Sequence, residues 1–89
     1  MDKSEQYYTY ILRCKDDTLY TGYTDHITRR VEVHNAGKGA KYTRCRLPVT
    51  LAYVEAYQTK REAQSREVKI KQLPRMEKLR MIADWDGTY

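Results

Sequence analysis

The sequence contains no phenylalanine, two cysteines, two prolines and four glycines in 89 residues, and no apolar run approaches membrane-spanning length. Each scarcity excludes something. Cys14 and Cys45 form no CxxC and have no nearby histidine pair, which argues against both a zinc site and a disulfide framework. Both are expected to be reduced, in a cytoplasmic protein. The opening "MDKSEQ" is polar and acidic where a signal peptide would be basic and then apolar, so no leader and no membrane partner are expected. No internal repeat, low-complexity segment or domain boundary interrupts the chain. Residues 1–89 therefore read as one domain, with a core over about 7–82 and a C-terminal tail over 83–89. A chain this short has no second lobe to enclose a large cofactor, so any active site must lie on an open surface.

Where phenylalanine is absent, tyrosine is abundant: nine of the aromatic residues are tyrosines. Charge is also uneven, with seventeen Lys and Arg against twelve Asp and Glu, for a net +5. That balance suits a polyanion and raises the case for nucleic acid modestly.

Residues 7–14, "YYTYILRC", put Tyr8, Tyr10, Leu12 and Cys14 on one face and Thr9, Ile11 and Arg13 on the other, the period of a strand. "KDD" supplies a turn, and Thr18 to Thr24 follows at hairpin spacing, with Tyr20 and Gly22 sharing a face. Gly22 leaves a bare backbone patch open to close approach by another group. Asp25 is placed as the N-cap of a helix carrying Ile27 and Val31, which "NAGKG" stops. Arg30 and His34, four apart, share a side of it. The segment that follows holds Lys38, Lys41, Arg44 and Arg46 with no acidic residue and reads as a mobile basic loop that contacts phosphates. Residues 49–57 form a third strand. Thr59 and Glu62 fit a capping box that opens a helix with Ala63, Glu67 and Ile70 on one stripe. Pro74 closes that helix or begins another, whose expected core residues are Met76, Leu79 and Ile82. The fold class is α/β of the α+β type: a small three-stranded antiparallel sheet flanked by about three helices.

Glu67 breaks its apolar stripe, because a carboxylate facing the core is costly unless a cation meets it. Two partners fit: a lysine or arginine in a structural ion pair, or a divalent ion such as Mg²⁺, which keeps most of its waters and takes one or two carboxylates together with substrate phosphates.

The blocks "YTY…LYTG", "ITRRVEVHN" and "AQSRE", in this order and spacing, resemble the GIY-YIG endonuclease superfamily over residues 7 to about 73, and the small stand-alone bacterial YhbQ-like subfamily in particular. The two tyrosine motifs fall on Tyr8-Thr9-Tyr10 and Tyr20-Thr21-Gly22, the helix arginine on Arg30, the position one turn later on His34, and the metal-binding glutamate on Glu67. The first motif lacks its Gly and Ile, the second its Ile, and Tyr23 follows Gly22 where excision-repair relatives have lysine. The resemblance implies a metal-dependent endonuclease acting on DNA, with RNA left open, in repair or recombination and with low sequence specificity. It also implies one divalent ion, Mg²⁺ or Mn²⁺, on Glu67. Tyr10 or Tyr20 would accept the proton of the attacking water, Arg30 would stabilise charge on the phosphorane, and His34 would orient water or a phosphate oxygen.

Plainer roles exist for each residue. A tyrosine pair across a hairpin is commonly packing. His34 also fits a cation near a helix C-terminus, and Tyr42 fits either a base-stacking platform or a loop anchor. Trp85, in "DWDGTY", has no assigned role. A nucleic-acid-binding module without cleavage and a protein-interaction domain are the alternatives to a nuclease. Retention of both tyrosines, Arg30 and Glu67 disfavours the former, and the lack of a heptad pattern disfavours the latter.

Overall fold

The turn at residues 15–18 shows how local chemistry starts the fold. An Asp16 carboxylate oxygen accepts from both the backbone N–H and the hydroxyl of Thr18, at 3.2 and 2.6 Å, while Asp17 takes a positive φ of 67°. This turn joins β1 (Tyr7–Arg13) to β2 (Leu19–Thr24). In the computed structural model, which describes residues 6–89, β1 is central and pairs antiparallel with both β2 and β3 (Thr50–Tyr57), in the order β2-β1-β3. Residues 1–5, which carry most of "MDKSEQ", lie outside the described residues.

The alternation of β1 sends its side chains into two separate cores. Tyr10, Leu12 and Cys14 pack with Val54 of β3, Val49 and Ile27, the first residue of α1 (Ile27–Asn35). On the opposite face the Thr9 hydroxyl donates to the Ala63 carbonyl at 2.8 Å, which seats α3 (Lys60–Lys71) against the sheet. Thr9, Ile11, Ala63 and Ile70 are all fully buried. Burial of a side chain such as Ile11 or Leu12 of β1, or Ile70 of α3, is worth about 1.5–3 kcal/mol each, so the central strand and the helix seated on it carry much of the stability.

The three-stranded antiparallel sheet is as the sequence predicts, but four helices flank it. The additional one, α2 (Lys41–Arg44), lies inside the segment expected to be a mobile basic loop. It forms because Thr43 is drawn fully into the interior, an attraction that no local pattern announces.

Other details differ by register. The N-cap of α1 is His26, whose Nδ1 accepts from the Arg29 N–H at 3.2 Å; Asp25 is exposed one residue too early. The capping box of α3 forms as expected between Thr59 and Glu62. In α4 (Arg75–Asp84), Leu79 and Ile82 are half-buried, but Met76 is 68 % exposed. Residues 78, 79, 81 and 82 make the covered stripe, and Met76 sits in the first turn ahead of it.

Two further clusters hold the β3 side together. Tyr53 and Tyr57 both donate to Glu55, and Arg66 of α3 grips the same carboxylate through Nε at 2.8 Å and Nη2 at 3.1 Å. Burial works to raise the Glu55 carboxyl, but the hydrogen bonds from Arg66, Tyr53 and Tyr57 outweigh it and hold it below the ordinary value. Burial, then hydrogen bonding to Glu55, pushes both phenols up to about 12. The tail also folds back. Trp85 packs against the core, with its ring 6.3 Å from Tyr53 and 6.5 Å from Tyr89, and Tyr89 meets Tyr8 edge-on at 6.0 Å.

Candidate active site

Tyr10, Tyr20, Gly22, Arg30, His34 and Glu67 all line one cleft of about 450 Å³. Four elements build it: β1 and β2 supply the tyrosines and Gly22, α1 supplies Arg30 and His34, and α3 supplies Glu67.

Tyr10 is 2 % exposed and lies directly opposite Gly22 across the β1–β2 pair. A Cβ on Gly22 would sit 2.6 Å from the Tyr10 hydroxyl oxygen. The close approach that Gly22 permits is therefore made by the protein's own phenol. Burial, reinforced by Tyr20, pushes that phenol well above the ordinary tyrosine value, and the nearby Arg30 charge offsets only part of the rise.

His34 is also buried, and both its ring nitrogens are engaged. Nδ1 lies 2.9 Å from the Thr43 hydroxyl and Nε2 3.3 Å from the Tyr10 hydroxyl. Thr43 gives its own proton to the Ala40 carbonyl at 3.1 Å, so it must accept from Nδ1–H, which leaves Nε2 to accept from Tyr10. Burial, then the Arg30 charge, lowers the His34 value, in keeping with this neutral tautomer. His34 does stand in the last turn of α1, as the helix-dipole reading has it, but its ring is turned inward to Thr43 and Tyr10. A Cβ on Gly39 would overlap the imidazole, so the Gly39 backbone forms the lid of the ring. Thr43 and Gly39 are neighbours of His34 that sequence reasoning misses, because neither stands in a pattern with it.

Tyr20 is half-buried. Its ring centroid lies 5.2 Å from that of His34 and stacks at 6.1 Å on Tyr42, which anchors the following segment beside the site. Arg30 is half-buried on the cleft wall, one helical turn before His34.

Both partners proposed for Glu67 bear on its position. Its side chain is 16 % exposed and Oε2 lies 2.9 Å from Lys71 Nζ, an i,i+4 pair. Such a pair with a half-exposed lysine contributes only about 0.2–0.5 kcal/mol, too little to account for a carboxylate on a cleft wall. No cluster of three or more His, Cys, Asp or Glu residues suited to a metal occurs among the described residues. A full protein cage is thus missing, and the donor set fits an ion such as Mg²⁺ that takes one carboxylate and fills its remaining positions with water and phosphate oxygens.

The basic segment divides. Lys38, Lys41 and Arg44 are exposed, but Arg46 is half-buried: it stacks over Tyr42 at 4.1 Å, donates to the Tyr42 carbonyl at 2.7 Å and lies 3.2 Å from Asp16. The expectation of four cations on a mobile loop is corrected: Lys41 and Arg44 stand on the short helix α2, Lys38 precedes it, and Arg46 is held by Asp16, which, distant in sequence, folds back beside it. None of the four lines the cleft.

The model of the GIY-YIG catalytic domain matches residues 6–80. The chain belongs to the GIY-YIG family. That membership suggests a nuclease. Among its relatives, UPF0213 protein OB0043 of Oceanobacillus iheyensis is 55 % identical over 78 residues, covering 88 % of this chain and 91 % of the relative. UPF0213 protein CPE1444 of Clostridium perfringens is 57 % identical over 76 residues, covering 85 % and 82 %. The solution structure of UPF0213 protein BH0048 from Bacillus halodurans superposes with a TM-score of 0.59 at 44 % identity, covering 94 % of this chain and 89 % of that one. Among the described residues no helix is long and apolar enough to cross a membrane.

Proposed function

We propose that this protein is a divalent-metal-dependent endonuclease that hydrolyses the phosphodiester backbone of DNA with little regard to sequence. The observation that carries this reading is the convergence of Tyr10, Tyr20, Arg30, His34 and Glu67 on one open cleft. The two tyrosines have different environments and hence different roles. Tyr10 is buried, its proton is committed to His34 Nε2, and its phenol resists ionisation. Tyr20 is half-exposed beside the same imidazole and accepts the proton of the attacking water. His34 and Tyr10 are positioning residues that fix the Tyr20 ring. Arg30 pairs with the phosphate and stabilises the charge that grows on it.

Glu67 would hold one Mg²⁺ or Mn²⁺ ion, which when bound supplies charge to the departing oxygen. Lys38, Lys41 and Arg44 would draw the backbone to the site without reading bases, so branched and nicked repair or recombination intermediates are the first substrates to try.

The test is a cleavage assay on duplex, single-stranded, nicked and branched DNA, and on RNA, with Mg²⁺ or Mn²⁺. Tyr20→Phe should remove nearly all cleavage, while Tyr10→Phe should slow it less. Glu67→Gln should abolish metal-dependent cleavage but leave DNA binding intact. Tight binding with no cutting of any substrate by the wild type would replace this reading with that of a binding module.

A further inference from the structure

A second groove, of about 250 Å³, shares Tyr20 with the cleft and is lined by Leu19, Tyr20, Thr21, Tyr42, Lys71 and Lys78. Its two charged groups are both ammoniums, one from α3 and one from α4, and no carboxylate stands among its lining residues. Lys71 is also the partner of Glu67, so one side chain spans from the groove to the carboxylate of the cleft. It is 52 % exposed and sits on a flexible stem, which lets its ammonium reach either way.

We propose that this groove binds a backbone phosphate of the nucleic acid adjoining the one that reacts, and that Lys71 leaves Glu67 to meet it. The inference rests on the nuclease reading and deepens it. Two lysines lining one acid-free groove suit an anion, and continuity with the cleft through Tyr20 makes the neighbouring phosphate of one chain the anion that reaches both. The exchange has a thermodynamic consequence. When Lys71 pairs with Glu67 it competes with a divalent ion for that carboxylate, and when it pairs with phosphate it releases it. Nucleic acid and metal must then bind cooperatively, each strengthening the other by the same factor.

Two measurements on the full chain test this. In the first, a short oligonucleotide is titrated in EDTA over a range of salt concentrations against wild type, Lys71→Gln, Lys78→Gln and the control Lys69→Gln, which lies away from the groove. Lys71→Gln and Lys78→Gln should each weaken binding and reduce the salt slope by about one, while Lys69→Gln leaves the slope unchanged. In the second, Mn²⁺ binding to the nucleic-acid-free protein is followed by electron paramagnetic resonance. Lys71→Gln should tighten it about twofold, the factor that a pair of this strength withholds, whereas Lys78→Gln should not alter it. Slopes and Mn²⁺ affinities equal to wild type in both groove variants overturn the inference while the nuclease reading stands. Selective displacement of the oligonucleotide by inorganic phosphate would make the groove a small-anion site and overturn it equally. A folded wild-type protein that binds no oligonucleotide even at low salt overturns the nuclease reading itself, and the groove assignment with it.

Discussion

At Gly22 the missing side chain is what lets the Tyr10 phenol lie across the hairpin, since a methyl group there would meet its hydroxyl at 2.6 Å and its Cζ at 2.8 Å. Gly22→Ala should therefore cost about 1–3 kcal/mol by overpacking. Urea melts of the single and double variants should show Tyr10→Phe recovering part of that loss, because the two positions share one contact. His34 predicts a pH dependence. Its neutral form is favoured in the folded protein, so on acidification the unfolded chain takes up the proton first. The stability it contributes is complete above the unfolded value of about 6.5 and is lost as pH falls from there toward the depressed folded value. Glu55, also depressed, keeps its contribution down to the ordinary glutamate value of about 4.3 and loses it as pH falls further. Urea midpoints followed from neutral to acid pH should thus fall in two stages, and His34→Gln should remove the first alone. Tyr10, Tyr20, Arg30, His34 and Glu67 were legible as one cluster because the resemblance to the GIY-YIG family ties these positions of a hairpin and two helices together, and the structure brings them to one cleft. Gly39 and Thr43 were not, because their partner His34 reaches them only through the folded path of the chain.

The elements were legible where hydrogen bonds are local. The Thr59–Glu62 box closes within one turn, with Thr59 N to Glu62 Oε1 at 3.2 Å and Glu62 N to Thr59 Oγ1 at 3.1 Å, so the start of α3 follows from four consecutive residues. Glu62→Ala should lower stability by about 1 kcal/mol or less, read from thermal melts, and leave cleavage per folded molecule unchanged. Helix α2 is the opposite case. It spans four residues, has no side-chain cap, and exists through Thr43 beneath it and Tyr42 against Tyr20. No periodicity can announce a helix that tertiary contacts impose. Met76 failed for a related reason: helical spacing shows which residues share a stripe, but not how far along the helix the sheet extends to cover it.

On the scale of the whole molecule, the net charge of +5 is spread over surfaces that differ in their freedom to meet a polyanion. Lys38, Lys41 and Arg44 face solvent, whereas Arg46 is held by Asp16 and Tyr42. Replacing the first three by Ala should weaken DNA binding and flatten its dependence on salt by about two to three units of slope, measured by titration. Arg46→Ala should change that slope little and act instead on stability, through the packing of Tyr42. The sheet order, with β1 between its partners, separates two edges that differ: the cleft is lined from β2, while the Glu55 cluster and the returning tail stand on the β3 side.

That returning tail carries the single tryptophan, set among Tyr53 and Tyr89, none of which lines the cleft. The molecule is thereby its own optical reporter. Light absorbed by the tyrosines of the folded chain will pass by resonance to the indole, and unpeeling of the last residues should dim that sensitised emission while the circular dichroism of the sheet stays unchanged. A spectrometer following Trp85 would time the detachment of the tail separately from the collapse of the hairpin.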